Sequence, residues 1–512
     1  MTCRPVLLAA VATVLTAAPA ATQQPRALTA ADYARAEQFM GYNTAPLVFG
    51  ASVRPVWLSG DRFWYRNAIP EGSEFVLVDP ARRTRERAFD HARLAASLAR
   101  AADTTLDAFH LPFQTFVLSA DGGSIVFDAL GRRWTCGVSG DACSGEPRRR
   151  ERPLPNAVLS PDSTKAAFIR DDNLWVRDVA TGRETQLTTD GVKDFGYATD
   201  NAGWTKSDRP IVLWSPDSRK IATFQQDERG VGEMYLVRTR VGHPVLEQWH
   251  YPLPGDSVIT TIQRVVIDLD GPRVVRLRMP PDQHRSTLCD HVACGGGWAD
   301  ISWSPDASRL VFVSTSRDHR DEKLRVADAA TGEIREVYEE RVNDFFESGF
   351  NRVNWQPLWA TNELLWYSER TDWGHLYLYD LATGQLKNPI TSGNWKVLQV
   401  LHVDETSRTI WFTAAGREPG DPYFRRLYSV RMDGSRLQLL TPEDADHDVT
   451  LAPDGRYFVD SYSKPDVPPV TVLRDAAGRA LFTVQTADIS RLLATGWRPP
   501  LPFTVKARDG RT

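Results

Sequence analysis

The sequence is dominated by a repeated unit of short β-strands and tight turns. A Ser-Pro-Asp turn recurs in LSPDSTKAAFIRDD from Leu159, WSPDSRKIATFQQD from Trp214 and WSPDASRLVFVSTSRD from Trp303. An Asp-x-Ala-Thr-Gly turn also occurs three times, each after a further strand. Because Gly readily adopts positive φ, Thr-Gly is typical of a hairpin turn. Each unit therefore predicts a four-stranded antiparallel sheet, the blade of a β-propeller.

Diverged copies raise the number of predicted blades to eight. They begin near Trp57, Val117, Leu358, Val400 and Leu451. A set of unrelated hairpins would share turn residues, but it would not repeat both turns in the same order. The stretch from 239 to 297 is irregular, and we expect an insertion there. The prediction is an all-β protein, a β-propeller of eight four-stranded blades with short N-terminal helices.

Two segments outside the repeats have helical patterns. Leu28 to Met40 reads LTAADYARAEQFM, with Thr29 as the cap and Asp32 in the first turn. The second runs from Asp90 to Ala102 and is rich in Ala, Leu and Arg, which favour helices. Both are expected to be short additions to the propeller.

The N-terminal residues have the pattern of a secretory signal peptide. Arg4 precedes an apolar run from Val6 to Ala18, and Ala18-Pro19-Ala20 matches the small-x-small cleavage pattern. An uncleaved membrane anchor is the alternative, although the run is short for a bilayer. No later apolar stretch is long enough to span a membrane, so we expect an exported protein, periplasmic or extracellular.

The cysteines that follow the leader form two local pairs, Cys136 with Cys143 and Cys289 with Cys294. In an oxidising compartment an even number of cysteines indicates disulfides, here two that close short loops. A zinc site built on Cys289, His291 and Cys294 is the alternative, but a second pair of ligands is missing from the spacing. We expect no metal and no cofactor.

Charge and composition favour a globular protein that does not bind nucleic acid. Of the 512 residues, 42% are hydrophobic and 25% are charged, and the formal net charge is -4. Such a balance gives no basis for a nucleic acid partner or an anionic membrane surface. The run of three arginines at 148–150 is interpreted as a solvated loop.

One ordered set of motifs is more specific than the repeats. The segment from Asp190 reads DGVKDFGYATDNAGWTKSDRPIVLWSPDSRKIATFQQDERGVGEMYL, and YPLPGD follows at Tyr251. With NWQPLWATN, TSGNWKV and TIWFTA further along, it resembles the N-terminal domain of dipeptidyl peptidase IV in the prolyl oligopeptidase family of serine peptidases. The resemblance covers nearly all of the chain after the leader.

The resemblance implies a propeller that precedes an α/β-hydrolase domain carrying Ser, Asp and His. We expect this domain to be missing, because no G-x-S-x-G occurs and FTVKARDGRT at the end resembles the first strand leading into it. Asp446 and His447 stand in a blade turn without a nucleophile elbow. The prediction is that no residue is catalytic and that the chain alone is inactive.

The resemblance also implies substrate-binding positions. In the family a Glu pair after a Tyr holds the free amine of the peptide, and the matching residues here are Tyr197, Ala198, Thr199, Asp200 and Asn201. The Glu pair is absent, which puts strict dipeptide release in doubt and leaves Asp200 as the candidate carboxylate, with a turn cap as the alternative role.

An Arg of an early blade binds a substrate carbonyl in the family, and Arg133 is the candidate here. A solvated Arg beside the Cys136–Cys143 loop is the alternative interpretation. The candidate substrate-binding residues are therefore Arg133, Tyr197, Asp200 and Asn201. The tryptophans at 214, 303, 355 and 366 are predicted to pack between blades.

The predicted organisation is a signal peptide at 1–20, the helices and first blade at 21–110, the remaining blades at 111–495, and the start of a linker or strand at 496–512. The predicted function is a non-catalytic, substrate-gating propeller of an exported serine peptidase that acts on peptides, with a possible homodimer. The alternative is a stand-alone propeller that binds peptides or a protein partner. An enzyme with its site in the central channel ranks last, because the ten histidines lack metal-like spacing.

Overall fold

The computed structural model describes residues 27–147, 156–199, 208–283, 293–294, 297–346 and 354–510. Besides two short two-stranded sheets, these residues form eight blade sheets that follow one another along the chain, which confirms the predicted all-β propeller. Seven sheets have four strands, and the fourth has six. Within the described ranges, no helix is long and apolar enough to cross a bilayer.

The first four blades hold the strands up to residue 283. Their bounds are, for blade 1, Val56–Trp57, Phe63–Ile69, Gly72–Asp79 and Thr84–Arg87; for blade 2, Val117–Leu118, Ser124–Ala129, Arg132–Gly137 and Cys143–Pro147; for blade 3, Val158–Leu159, Lys165–Arg170, Asn173–Asp178 and Glu184–Gln186; for blade 4, Phe195–Tyr197, Leu213–Trp214, Lys220–Asp227, Thr261–Asp268, Arg273–Arg276 and Asp282–Gln283.

The other four blades are regular. Their bounds are, for blade 5, Ile301–Trp303, Arg309–Thr315, Asp321–Asp328 and Ile334–Arg341; for blade 6, Gln356–Leu358, Glu363–Ser368, His375–Asp380 and Leu386–Pro389; for blade 7, Lys396–Asp404, Thr409–Ala415, Arg426–Arg431 and Gln438–Leu439; for blade 8, Asp446–Leu451, Tyr457–Lys464, Val467–Asp475 and Ala480–Thr486.

The repeated turns have a common chemistry. In the Ser-Pro-Asp turn of blade 4, Ser215 Oγ donates to Asp217 at 2.6 Å and accepts from the Lys220 amide at 2.8 Å. In the Ala-Thr-Gly turn of blade 3, the Asp178 carboxylate accepts from the Thr181 amide at 2.7 Å, and Gly182 has φ 72°. These side-chain bonds stabilise the turns locally, which is why the sequence repeat predicts the blades well.

Hydrophobic clusters join most pairs of neighbouring blades. The cluster between blades 8 and 1 contains Phe63, Tyr65, Val459 and Leu473, so the last blade packs on the first. Outside the blades, the amides of Phe49 and Asp488 each donate to the other's carbonyl, at 3.0 and 2.8 Å. The two ends of the repeat array are therefore held together.

In the described part of the chain, four helices lie outside the sheets: α1 Ala30–Glu37, α2 Gly41–Thr44, α3 His91–Ala102 and α4 Ser490–Ala494. Short 3-10 turns cover Ala45–Leu47 and Ser59–Asp61. The predicted Thr29 cap of α1 is confirmed, and it forms a capping box with Asp32. Helix α3 confirms the second predicted helix and begins after Asp90, whose side chain accepts from the Arg93 amide at 3.0 Å.

The expected insertion lies in blade 4 and begins before residue 239. A two-stranded hairpin, Glu233–Arg238 with Val245–His250, extends between the Lys220–Asp227 and Thr261–Asp268 strands. A second short pair, Ala293–Cys294 with Gly297–Trp298, precedes blade 5.

Candidate functional site

The innermost strand of blade 4 is split, and this is the main irregularity of the ring. Its two parts, Phe195–Tyr197 and Leu213–Trp214, both pair with the strand Lys220–Asp227. The innermost strands of a propeller form the wall of its central channel, and the segment 198–212 connects the two parts of this strand. We call this segment the blade 4 loop.

The described ends of the blade 4 loop are held by backbone hydrogen bonds. The Ala198 amide donates to Phe224 O, and the Ile211 amide donates to Ala198 O, each at 2.9 Å. Ala198 has φ 57°, a left-handed conformation that is unfavourable for a residue with a Cβ. Asp200 and Asn201 belong to this loop but lie outside the described residues, so their predicted role remains a prediction.

Tyr197 fixes the base of the loop. Its side chain is fully buried between blades 3 and 4. Its hydroxyl donates to Asp190 at 2.8 Å and accepts from Arg276 at 3.0 Å, and Arg276 also binds Asp190 at 2.9 Å. Burial, followed by the hydrogen bond to Asp190, raises the pKa of Tyr197. Binding of substrate by Tyr197, which stays a prediction, would have to compete with these contacts.

Acidic residues that the sequence patterns did not indicate lie around Tyr197, at the base of the blade 4 loop. The Asp172 carbonyl accepts from the Tyr197 amide at 2.9 Å. Burial, and then the negative charges of Asp194 and Asp171, raise the pKa of the Asp172 carboxyl. Such a cluster of carboxylates produces a negative potential that favours a cation. The pair at 171–172 forms the tight turn between two strands of blade 3, with φ 49° and 60°, and it was visible in the sequence only as a turn.

The acidic edge continues onto the start of the blade 4 hairpin. The Asp194 carbonyl accepts from the Glu228 amide at 2.8 Å, and the Asp194 carboxylate lies 3.3 Å from His250 Nε2. Glu228 is almost completely buried. We define the acidic edge as Asp171, Asp172, Asp194 and Glu228. Its residues come from blades 3 and 4, and proximity of this kind is not encoded in any local motif.

Arg133 lies on blade 2, so blade 3 separates it from Tyr197. It is exposed, and its cross-strand neighbours are Asp128 and Glu146. The next residue, Trp134, points to the opposite face of the sheet, where it is buried and donates from its indole N–H to Ala129 O at 3.0 Å. The exposed Arg133 guanidinium has the chemistry to donate to a carbonyl, and its predicted role stays a prediction.

The disulfide Cys136–Cys143 is confirmed and connects two strands of blade 2 at directly opposite residues. The turn that it closes contacts helix α3, where Ser97 Oγ donates to Gly140 O at 2.6 Å. The predicted pair Cys289–Cys294, like the alternative zinc site with His291, lies outside the residues whose side chains are described.

Among the side chains that the structure describes, one group has a metal-like arrangement. Ligand atoms of Glu443, His447 and Asp460 lie within 4.8 Å of one another. However, the Arg474 guanidinium binds Asp460 at 2.8 Å and Glu443 at 2.6 Å, so it already supplies the positive charge between them. His447 Nδ1 lies 2.8 Å from Asp460, and Asp446 binds Arg425 at 2.7 Å. These contacts favour a structural ion-pair network over a metal site.

The comparisons with known proteins agree with this architecture. The family model for the dipeptidyl peptidase IV N-terminal region matches residues 138–469, more than half of the chain. A probable dipeptidyl-aminopeptidase B of Aspergillus oryzae is 23% identical over 394 residues, which cover 70% of this chain and 41% of that protein. Its counterpart in Talaromyces marneffei is 25% identical over 387 residues, 66% of this chain and 39% of that protein.

Solved structures support the fold. A putative dipeptidyl aminopeptidase IV from Bacteroides ovatus has a TM-score of 0.58 and 18% identity, and the match covers 85% of this chain and 61% of the other. Porphyromonas gingivalis dipeptidyl peptidase 4 has a TM-score of 0.56 and 19% identity, with 85% and 59% covered. The chain thus spans about two fifths of these curated relatives and about three fifths of these solved structures. Because the family model matches residues 138–469, the chain belongs to the dipeptidyl peptidase IV N-terminal region family.

Proposed function

We propose that the chain is the substrate-gating propeller of a dipeptidyl peptidase IV-like serine peptidase that acts on peptides. In this proposal an α/β-hydrolase unit beyond residue 512 carries the Ser, Asp and His, and the propeller limits access and holds one end of the peptide. The observation that carries the proposal is the split innermost strand of blade 4, because its first part ends at Tyr197, whose amide donates to the Asp172 carbonyl of the acidic edge.

The proposed binding step is electrostatic. The free N-terminus of a peptide is a protonated amine, and an ammonium group that leaves water needs a carboxylate partner. Asp200 on the loop supplies this partner, and the acidic edge adds a favourable potential. Tyr197 holds the loop base through Asp190 and Arg276, and Arg133 donates to a carbonyl of the peptide.

The proposed specificity differs from strict dipeptide release. The residues after Tyr197 are Ala198 and Thr199, which cannot form an ion pair with an amine. One carboxylate in place of two weakens the distinction between a free amine and a blocked one. Strict removal of dipeptides is therefore not part of the proposal.

We also propose the organisation and export predicted above, with a signal peptide at 1–20, the helices and first blade at 21–110, the other blades at 111–495 and a linker at 496–512. The disulfide Cys136–Cys143 supports export, because disulfides persist mainly in oxidising compartments.

The blade 4 hairpin supports the proposed homodimer. Tyr235, Val237 and Leu246 lie on one face of it and are each about 60% exposed. Exposed apolar side chains on a projecting two-stranded hairpin are typical of a contact surface. Sedimentation of the chain with Val237→Asp should give a smaller assembly than the wild type if this face joins two copies. An unchanged assembly would contradict the dimer surface.

Two observations test the main proposal. The coding sequence after Thr512 should continue in frame into a G-x-S-x-G motif, and a stop codon followed by unrelated sequence would contradict the hydrolase unit. The chain alone should not hydrolyse X-Pro or X-Ala chromogenic peptides. Turnover that a serine-directed inhibitor abolishes would contradict the non-catalytic role.

A further inference from the structure

A cavity lies where blade 1 meets the start of blade 2. It has a volume of about 410 Å³. We define the blade 1 pocket by its lining residues Val48, Val56, Trp64, Ala68, Gln114 and Thr115, with Arg54 and Arg66 beside them. The volume is within the range of small-molecule and peptide-end pockets.

The pocket wall is mainly apolar. Trp64 is almost completely buried and stacks on Phe116 with ring centroids 4.4 Å apart, which gives the wall a rigid aromatic part. Val56, on the innermost strand of blade 1, is 42% exposed. Within the described residues, the indole N–H of Trp64 has no acceptor. An apolar side chain that fills the pocket would cover the exposed part of Val56 and so remove apolar area from water.

Two positive charges flank this apolar wall, and no carboxylate of the described residues forms an ion pair with either of them. Arg66 Nε donates to Ser73 Oγ at 3.0 Å, a neutral partner. Arg54 forms no hydrogen bond or ion pair with the residues that the structure describes, and both arginines are exposed. A guanidinium group binds a carboxylate with two parallel hydrogen bonds, so an unbalanced pair favours an anionic ligand.

The pocket opens near the same side of the ring as Arg133. Ala68 lies just before the turn that joins the second and third strands of blade 1, and Arg133 lies just after the equivalent turn of blade 2. Because consecutive blades have the same strand order, these turns lie on one face of the propeller. A peptide on that face can reach both positions.

We propose that the blade 1 pocket binds the C-terminal carboxylate of a short peptide whose last side chain is apolar. The apolar side chain fills the cavity against Trp64 and Val56, and the carboxylate binds Arg54 and Arg66. The choice of a peptide rests on the proposed function, whereas the requirement for an apolar anion comes from the pocket itself.

Calorimetric titration of the whole chain with N-acetyl-Gly-Leu-Phe tests the proposal. Acetylation removes the amine, so the site at the blade 4 loop does not contribute. The free acid should bind with saturation, and the C-terminal amide should bind at least about tenfold more weakly, because it cannot form the charge-assisted bonds. Decanoate, an apolar anion without a peptide group, should bind more weakly than the free acid.

Variants locate the binding site. Arg54→Gln and Arg66→Gln should each weaken binding of the free acid about tenfold. Ala68→Trp should abolish it by filling the cavity, with an unchanged thermal melt as the check on folding. Arg183→Gln, an exposed arginine of blade 3, is the matched control and should leave binding unchanged.

Equal binding of acid and amide, no saturable binding, or full binding by both arginine variants would overturn the proposal. Tighter binding of decanoate than of the peptide acid would also overturn it. The proposed function is tested by peptides with a free N-terminus. Binding at the blade 1 pocket and binding at the blade 4 loop can therefore each fail without the other.

Discussion

The indole N–H of Trp303 in blade 5 donates a hydrogen bond to the carbonyl of Leu213 in blade 4, at 3.1 Å. Trp214 of blade 4 makes the equivalent bond to Val158 of blade 3, at 3.2 Å. The Trp of each Trp-Ser-Pro motif therefore holds the innermost strand of the preceding blade. The repeated Trp is a contact between blades as well as a part of its own turn.

Replacing Trp303 with Phe should lower the free energy of unfolding by about 1–3 kcal/mol. The substitution removes one hydrogen bond and leaves space beside a buried ring. Urea unfolding followed by circular dichroism measures the change. Trp373→Phe, at a side chain that is 39% exposed, is the control and should have little effect. Equal losses at both positions would contradict the role of the bond between blades.

Gly140→Ala should destabilise the protein more than Gly131→Ala. Both glycines have positive φ, at 75° and 73°, so the backbone strain is about 1 kcal/mol in each case. At Gly140 a Cβ would lie 2.5 Å from Arg93 Cβ of helix α3, whereas nothing lies within 4 Å at Gly131. The difference between the two melting temperatures measures the close approach of α3 to the disulfide-closed turn. If the two variants have the same melting temperature, α3 does not pack on this turn.

Acid should weaken the fold through His375. Burial lowers the pKa of His375 below its usual value of 6.5. The neutral ring fits its site, because Nε2 donates to Gly393 O at 2.8 Å and Nδ1 lies 3.0 Å from Thr391 Oγ, which already accepts from the Leu376 amide. Between the lowered pKa and 6.5 the unfolded chain binds more protons than the folded one. The contribution of the neutral His375 ring to the free energy of unfolding is therefore complete above about pH 6.5 and is lost as the pH falls.

The measurement is the difference in unfolding free energy between the wild type and His375→Gln at pH 7.5 and at pH 5.5. The wild type titrates at this position and the variant does not, so the difference should shrink at the lower pH. A difference that stays constant or grows would show that the ring is not held neutral.

Arg264→Met should cost about 3–5 kcal/mol of unfolding free energy. Arg264 is buried between blades 4 and 5 and binds Asp282 and Asp300, each at 2.7 Å. Its loss leaves the buried Asp300 carboxylate without a charged partner, whereas Asp282 keeps its contact with Ser314. Arg219→Met breaks an exposed pair with Asp270 and should leave the urea midpoint unchanged. A small effect at Arg264 would mean that water reaches the carboxylates.

The repeat predicted the eight blades because each blade depends on local turn chemistry. Asp178, Thr181 and Gly182 form their turn without help from other blades, so a short motif contains the necessary information. The Thr29 cap of α1 was predictable for the same reason. The bounds of the blade 4 hairpin were less clear, because its strand at 233–238 continues the pattern of an ordinary blade strand.

The candidate site was predictable only in part. Resemblance indicated Tyr197 and Asp200, but the binding of Tyr197 by Asp190 and Arg276 joins residues 86 positions apart in sequence. Asp172 and Asp194 look like ordinary turn residues until blades 3 and 4 pack together. Long-range neighbours of this kind follow from the closure of the ring, which no local pattern specifies.

The most direct test of the account is titration of the chain with a short Xaa-Pro peptide that has a free N-terminus and an amidated C-terminus. We predict saturable binding that falls at least about tenfold when the N-terminus is acetylated or when Asp200→Asn removes the carboxylate, because each change removes one charge of the proposed ion pair. Equal binding of the free and acetylated peptides would contradict a substrate-holding role for the blade 4 loop.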